Sequence, residues 1–173
     1  KHWDVNAKSN TTSILSTTKT PTIKKLEINA FYRAILSLSE NDKEETLLEV
    51  GCGNGYNLFG LKELLPNLKL QGVDYSEEMI QAAQKINDEK HNSEIEFSVA
   101  DALEIPNGKL KSDTYDFVIT NRMVINLNSW TLQQTALRNL AGLLKPNGTL
   151  IIIENFINSH ANQNKLRELI DLP

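Results

Sequence analysis

The sequence predicts an α/β domain, a doubly wound parallel sheet with helices on both faces. Three observations carry this. Apolar runs of strand length alternate with segments of helical period over residues 22–154, an order that produces a parallel sheet with helices packed on it. The run Leu150-Ile151-Ile152-Ile153 is continuous and β-branched, as a strand covered on both faces requires. The first strand-like run enters a turn with glycines at alternate positions, Gly51-Cys52-Gly53-Asn54-Gly55. Such a turn lies where the carboxyl edge of a parallel sheet opens a ligand crevice.

The elements follow in order. Residues 1–20 are polar, rich in Ser, Thr, Asn and Lys, and are expected to form a flexible segment or lid ahead of the domain proper, 21–173. A helix is expected from Thr22 to Leu38, with Ile23, Leu26, Ile28, Phe31, Ile35 and Leu38 near helical period. Asn41-Asp42-Lys43 reads as a linker. Leu47–Val50 is the first strand, and Leu58, Leu61, Leu64 and Leu65 mark the helix after the glycine turn. Leu68–Asp74 is the second strand. Ser76 is a good helix cap, with Met79, Ile80 and Ala83 opening the apolar face of a helix that runs to Lys90. Strands at Ile95–Ala100 and Tyr115–Asn121 come next. A helix over Ser129–Leu144 is expected to stop at Lys145, because the residue before a proline disfavours the α region. Pro146-Asn147-Gly148 makes a turn into the fifth strand, and Ala161–Ile170 has the pattern of one more helix.

The glycine spacing discriminates between ligands. A dinucleotide fingerprint needs G-x-G-x-x-G, so that a pyrophosphate can sit on a helix N-terminus. Here the third glycine, Gly55, comes one place too early and Tyr56 holds the expected position. Glu49 precedes the first glycine; its carboxylate would repel a pyrophosphate but could pair with an ammonium group. The pattern E-x-G-x-G-x-G at residues 49–55 resembles the first motif of class I S-adenosylmethionine-dependent methyltransferases, whose cofactor carries an ammonium and no phosphate.

The resemblance extends over about residues 45–157, in the family's order and spacing. It implies the strand order 3-2-1-4-5 and cofactor contacts at Glu49, Gly51, Cys52, Gly53, Gly55 and Asn57. It also implies that Asp74, about twenty residues beyond the glycine turn, accepts both ribose hydroxyls. Helix capping is the competing role for Asp74, and Ser76 as the better cap leaves Asp74 for a ligand. Tyr75 would pack on the adenine. Asp101 and the Ala102 amide, after the third strand, would read the adenine edge; a plain turn acid is the competing reading. Asp116 matches an acid that often enters the fourth strand, and Leu144-Lys145-Pro146-Asn147-Gly148-Thr149-Leu150 carries the family's L-x-P-x-G-x-L phrase.

Asn121 and Arg122 close the fourth strand, where methyl donor and acceptor would meet. Asn121 is also expected near the cofactor, and both are candidates to orient the acceptor; a structural salt bridge is the competing role for Arg122. Asn126 and Trp130 follow as pocket candidates, with capping and core packing as their alternatives. The run Asn121–Leu127 and the end Leu166–Pro173 look like a subgroup of small-molecule methyltransferases, many of them encoded among surface-polysaccharide or sugar-modifying genes. The expected activity is methyl transfer from S-adenosylmethionine to a sugar-derived hydroxyl or amine, leaving S-adenosylhomocysteine. The competing class is a non-catalytic cofactor-binding module; a nicotinamide dehydrogenase is disfavoured by the glycine spacing and by Glu49. The family fold usually has two further strands, six and seven, and these are expected to be missing.

Bulk properties narrow the partners. A length of 173 residues suits one domain. Net charge is −4, and no basic block exceeds Lys24-Lys25, so nucleic acid is not an expected partner. No apolar run reaches the roughly twenty residues of a membrane span. The single cysteine, Cys52, cannot form an internal disulfide and fits a cytoplasmic protein. His2, His91 and His160 are scattered, and no metal-ligand spacing is present.

Overall fold

The computed structural model describes residues 21–39, 44–90, 94–106 and 110–156, together with the helical positions Ala161 and Lys165. The expected lid over 1–20, the linker 41–43 and most of the helix over 161–170 lie outside the described residues. The elements are α1 (Pro21–Leu38), β1 (Thr46–Val50), α2 (Tyr56–Leu64), β2 (Lys69–Asp74), α3 (Glu77–Glu89), β3 (Ile95–Val99), β4 (Tyr115–Asn121), a 3₁₀ turn (Val124–Asn126), α4 (Trp130–Ala141) and β5 (Leu144–Ile153).

All five strands pair in parallel, in the order β3-β2-β1-β4-β5, with β1 central. Parallel pairing needs crossovers, and the helices that make them bury both faces of the sheet. Side chains alternate along β1, so Leu47 joins a core with Phe31, Ile35, Leu58, Ile80 and Phe97. Leu48 and Val50 join a second core with Val73, Val118, Ala136 and Leu140 on the opposite face. α1, α2 and α3 therefore cover one face and α4 the other. No helix among the described residues is long and apolar enough to cross a membrane.

At the amino edge of the sheet, Asp116 binds three strands together. Its Oδ2 accepts from the Thr46 amide and hydroxyl, each at 2.8 Å, and from Lys145 Nζ at 2.7 Å. These donors hold the Asp116 carboxyl below the usual carboxylate range although burial acts the other way. Asp116 thus lies at the end of the sheet opposite the ligand crevice, and its role is structural.

Several boundaries depart from the sequence expectation. Ser76 does cap α3, its Oγ accepting from the Met79 amide at 3.3 Å. α4 stops at Ala141, ahead of the proline. The Leu143 carbonyl instead accepts from the Thr114 and Tyr115 amides, which pulls the chain into strand geometry early. Leu144 pairs with Tyr115, the Pro146-Asn147-Gly148 turn then forms a bulge, and pairing resumes between Thr149 and Phe117. Asn147 takes the left-handed conformation there, at φ 69°.

The expected apolar face of α1 is the larger correction. Ile23, Leu26 and Leu38 are exposed, and the buried face is Lys24, Glu27, Ile28, Phe31 and Ile35. The helix is rotated because its first turns lie over the carboxyl edge of the sheet. That edge offers polar partners rather than an apolar surface.

Candidate functional site

The carboxyl ends of β1, β2 and β4 and the loop after β3 enclose a cavity of about 550 Å³. Its wall carries Glu49, Gly51, Cys52, Gly53 and Asn57 from the first turn. Asp74 and Tyr75 come from the end of β2, Asp101 and Ala102 follow β3, and Asn121 and Arg122 close β4. The expected site residues are thereby brought together, with one exception: Gly55 does not line the cavity.

The glycine turn is built by backbone strain that glycine relieves. Gly51, Gly53 and Gly55 all have positive φ, at 78°, 55° and 77°, a region that costs other residues about 1–2 kcal/mol. A Cβ on Gly51 would come within 2.6 Å of Met123 Cγ, a residue of the cavity wall. A Cβ on Gly55 would come within 2.6 Å of Phe97 Cζ and 3.1 Å of Phe59 Cε2, both core side chains. Gly55 is thus required by packing beneath the site.

Glu49 is the most unusual group. It is 1% exposed in the central strand. Oε1 accepts from Asn57 Nδ2, while Oε2 has no hydrogen-bond partner among the described residues. Burial raises the carboxyl to about 7, against the opposing pull of Lys24 and of Asn57. Asn57 Oδ1 and Asn121 Oδ1 are likewise buried without partners among the described residues. Buried acceptors are normally satisfied, and these three belong to residues that line one cavity.

Asp74, expected to be left for a ligand, also has backbone partners. Oδ2 accepts from the Gly53 amide at 2.8 Å and Oδ1 from the Ser76 amide at 2.9 Å. The carboxylate therefore fixes the glycine turn as well as facing the cavity. Asp101, a residue of the cavity wall, likewise accepts from the Leu103 amide, through Oδ1 at 2.8 Å. Tyr75 is 76% exposed at the rim. Cys52 is buried, and burial pushes its thiol well above the ordinary range, so it serves as a small packed residue.

Arg122 makes the ion pair named as its competing role. Its guanidinium meets Glu27 of α1, Nε at 3.2 Å and Nη2 at 3.3 Å. Asn121 Nδ2 donates to the same carboxylate at 2.7 Å. Arg122 also has positive φ, 53°, held by its amide donating to the Ile153 carbonyl at 2.8 Å and its carbonyl accepting from Asn126 Nδ2 at 2.7 Å. A strained non-glycine residue fixed by its surroundings is a common feature of functional sites. Asn126 lines the cavity, whereas Trp130 is 65% exposed at the start of α4 and does not.

Sequence reasoning missed Lys24, Glu27, Met123 and Glu154. Lys24 lines the cavity although it is 5% exposed, and burial lowers its pKa. A signal for it existed: Lys24, Ile28, Phe31 and Ile35 share one helical face, so a lysine stands in an otherwise apolar stripe. Glu154, at the end of β5, accepts from the Val124 amide at 2.7 Å and so positions the 3₁₀ turn that carries Ile125 and Asn126 to the cavity. Nothing local in the sequence marks that contact. Among the described residues, no cluster of His, Cys, Asp and Glu is placed to hold a metal ion.

Comparison with known proteins gives concordant results. A family model described as a methyltransferase domain matches residues 41–170. The malonyl-[acyl-carrier protein] O-methyltransferase of Bacillus cereus is 33% identical over 143 residues, which is 78% of this chain and 49% of that protein. The tRNA N(3)-methylcytidine methyltransferase trm141 of Schizosaccharomyces pombe is 31% identical over 106 residues, 61% of this chain and 42% of that protein. The chain spans less than half the length of the curated relatives it matches. Among solved structures, a protein of Methanococcus maripaludis, provisionally assigned as an S-adenosyl-L-methionine-dependent methyltransferase, superposes with a TM-score of 0.70 at 21% identity. That match covers 99% of this chain and 72% of the other, and it shows a shared fold.

Proposed function

This chain belongs to the class I S-adenosylmethionine-dependent methyltransferases, and from that premise we propose that it transfers a methyl group from S-adenosylmethionine to a hydroxyl or amine of a small, sugar-derived acceptor. The observation that carries the cofactor reading is Glu49 Oε2, buried beside the glycine turn without a hydrogen-bond partner among the described residues. A buried carboxylate with one unused oxygen fits an ammonium and opposes a phosphate. Asp74 and Asp101 add two more carboxylates to the wall, which suits a ligand that brings hydroxyl and amino donors. The residues present therefore fit the cofactor, with Glu49 on its ammonium, Asp74 on the ribose hydroxyls, and Asp101 with the Ala102 amide on the adenine edge.

When bound, S-adenosylmethionine supplies a methyl group already activated by its sulfonium. What remains for this chain is orientation and exclusion of water, and orientation alone can contribute several kcal/mol. Asn121, a residue of the cavity wall, is held by Glu27 through its amide nitrogen, and its buried Oδ1, without a partner among the described residues, is the group assigned to accept a hydroxyl or amine hydrogen. Met123, Ile125 and Leu127 give the neighbouring wall an apolar surface that keeps water out. Arg122, committed to Glu27, acts by fixing Asn121's surroundings rather than by meeting an anion itself.

The test is transfer of labelled methyl to a panel of sugar nucleotides, a malonyl thioester of acyl carrier protein, and tRNA. Label in the sugar nucleotides is the expected result. Label in the thioester or the tRNA alone would overturn the sugar reading and keep methyl transfer. Cofactor binding with no transfer to any acceptor would favour the non-catalytic module.

Glu49 gives cofactor affinity a pH dependence of defined sign. Its carboxyl titrates at about 7, and only the ionised form pairs with an ammonium. Affinity for S-adenosylhomocysteine should level off about one unit above pH 7, while the ligand's amine keeps its proton, and fall as pH drops below 7, by about tenfold per unit. Binding at pH 6 should release a proton, read as a dependence of calorimetric enthalpy on the buffer's ionisation enthalpy. A flat profile from pH 8 to pH 5 would remove Glu49 from the ammonium site.

A further inference from the structure

We propose that Lys24 binds the carboxylate of the cofactor's amino-acid end, so that Lys24 and Glu49 together recognise an α-amino acid zwitterion. The inference rests on the cofactor reading above and assigns the half of the ligand that the glycine turn and the acids leave without a partner.

Four observations lead to it. Lys24 is buried, and it lines the same cavity as Glu49. Its Nζ lies 3.6 Å from Glu27 Oε2, beyond the 2.7–2.9 Å of a charge-assisted hydrogen bond. Glu27 already accepts from Asn121 and pairs with Arg122, so Lys24 is a second cation on a shared carboxylate. Glu49 is the other negative charge acting on it.

Charge balance then limits what can enter. A ligand ammonium on Glu49 neutralises that carboxylate and removes part of the attraction that keeps Lys24 charged. An amine alone would bury surplus positive charge beside Lys24, which is costly in a dry cavity. A free α-amino acid carries its carboxylate on the same carbon as its ammonium. Seated between Lys24 and Glu49, it leaves the net charge of the site unchanged and gives the lysine a near anion. Lysine offers three donors on a flexible stem, which suits it to adjust as the ligand arrives. α1 would then close one side of the site through this contact.

Calorimetry with three ligands tests the assignment: S-adenosylhomocysteine, its decarboxylated amine analogue, and 5′-methylthioadenosine, which lacks both charges. In the Lys24→Met variant, S-adenosylhomocysteine should bind about 10–100-fold more weakly. The amine analogue should bind as well as to the wild type or better, and 5′-methylthioadenosine should be unaffected. Lys24→Arg should restore part of the loss, and Lys25→Met, at an exposed neighbour, should change nothing. Equal losses for all three ligands would mean that Lys24 only supports the fold, and an unchanged S-adenosylhomocysteine affinity would remove it from the site. Failure of the wild type to bind any of the three would overturn the cofactor reading as well, so the two failures are distinct.

Discussion

Gly55→Ala is expected to lower the stability of the fold by about 2–5 kcal/mol. Two causes add. The left-handed conformation at φ 77° costs an alanine about 1–2 kcal/mol. The new methyl would also lie 2.6 Å from Phe97 Cζ and 3.1 Å from Phe59 Cε2, and overpacking of a core costs about 1–3 kcal/mol. Phe59 and Phe97 pack at a ring-centroid distance of 5.7 Å, so neither can retreat without disturbing the other. Denaturant unfolding followed by far-UV circular dichroism checks this. A midpoint equal to wild type would mean that the turn accepts a side chain and that Gly55 has no packing role. Gly51→Ala offers the contrast: its methyl would press on Met123, a side chain of the cavity wall, so more of its damage should appear in ligand binding.

Asp74→Ala should weaken S-adenosylhomocysteine by about 1.5–3 kcal/mol, the range for hydrogen bonds to a charged acceptor. The variant should also lose stability without ligand. The Gly53 and Ser76 amides, at 2.8 and 2.9 Å from the carboxylate, would both lose their acceptor. Asp74→Asn separates the two roles, since one amide oxygen can still serve a backbone donor. It should recover more of the stability than of the affinity. Calorimetry showing undiminished affinity in Asp74→Ala would leave Asp74 as a brace for the turn and nothing more.

The sheet was legible because its signals are local and redundant. Strand-length apolar runs, the Ser76 cap and the glycine turn each act within a few residues, and the family resemblance supplied the order 3-2-1-4-5 that alternation alone does not. α1 was misread for a physical reason. Its apolar residues form two overlapping stripes, and choosing between them requires knowing what the helix packs on. Ile28, Phe31 and Ile35 meet the sheet, whereas Lys24 and Glu27 reach past it to the polar ends of β1 and β4. The same limit hid the pairing of Glu27 with Asn121 and Arg122, which joins residues 94 and 95 positions apart. Gly55 shows a second demand on a motif residue that the sequence did not reveal: it is closely packed against two phenylalanines and does not line the cavity.

The buried Glu49 sets a conflict for anyone who engineers this protein. Its carboxyl moves from 4.5 in the open chain to about 7 in the fold, so the folded state holds an extra proton between those values. Stability therefore falls as pH rises through that window, by about 3 kcal/mol once the group is fully ionised. A selection for heat resistance at pH 8, run without ligand, would favour neutral replacements at position 49, the residue proposed to hold the cofactor's ammonium. On the proposed role of Glu49, thermostable variants of this domain are better sought with S-adenosylhomocysteine present throughout the screen, so that ligand binding selects for the costly carboxylate.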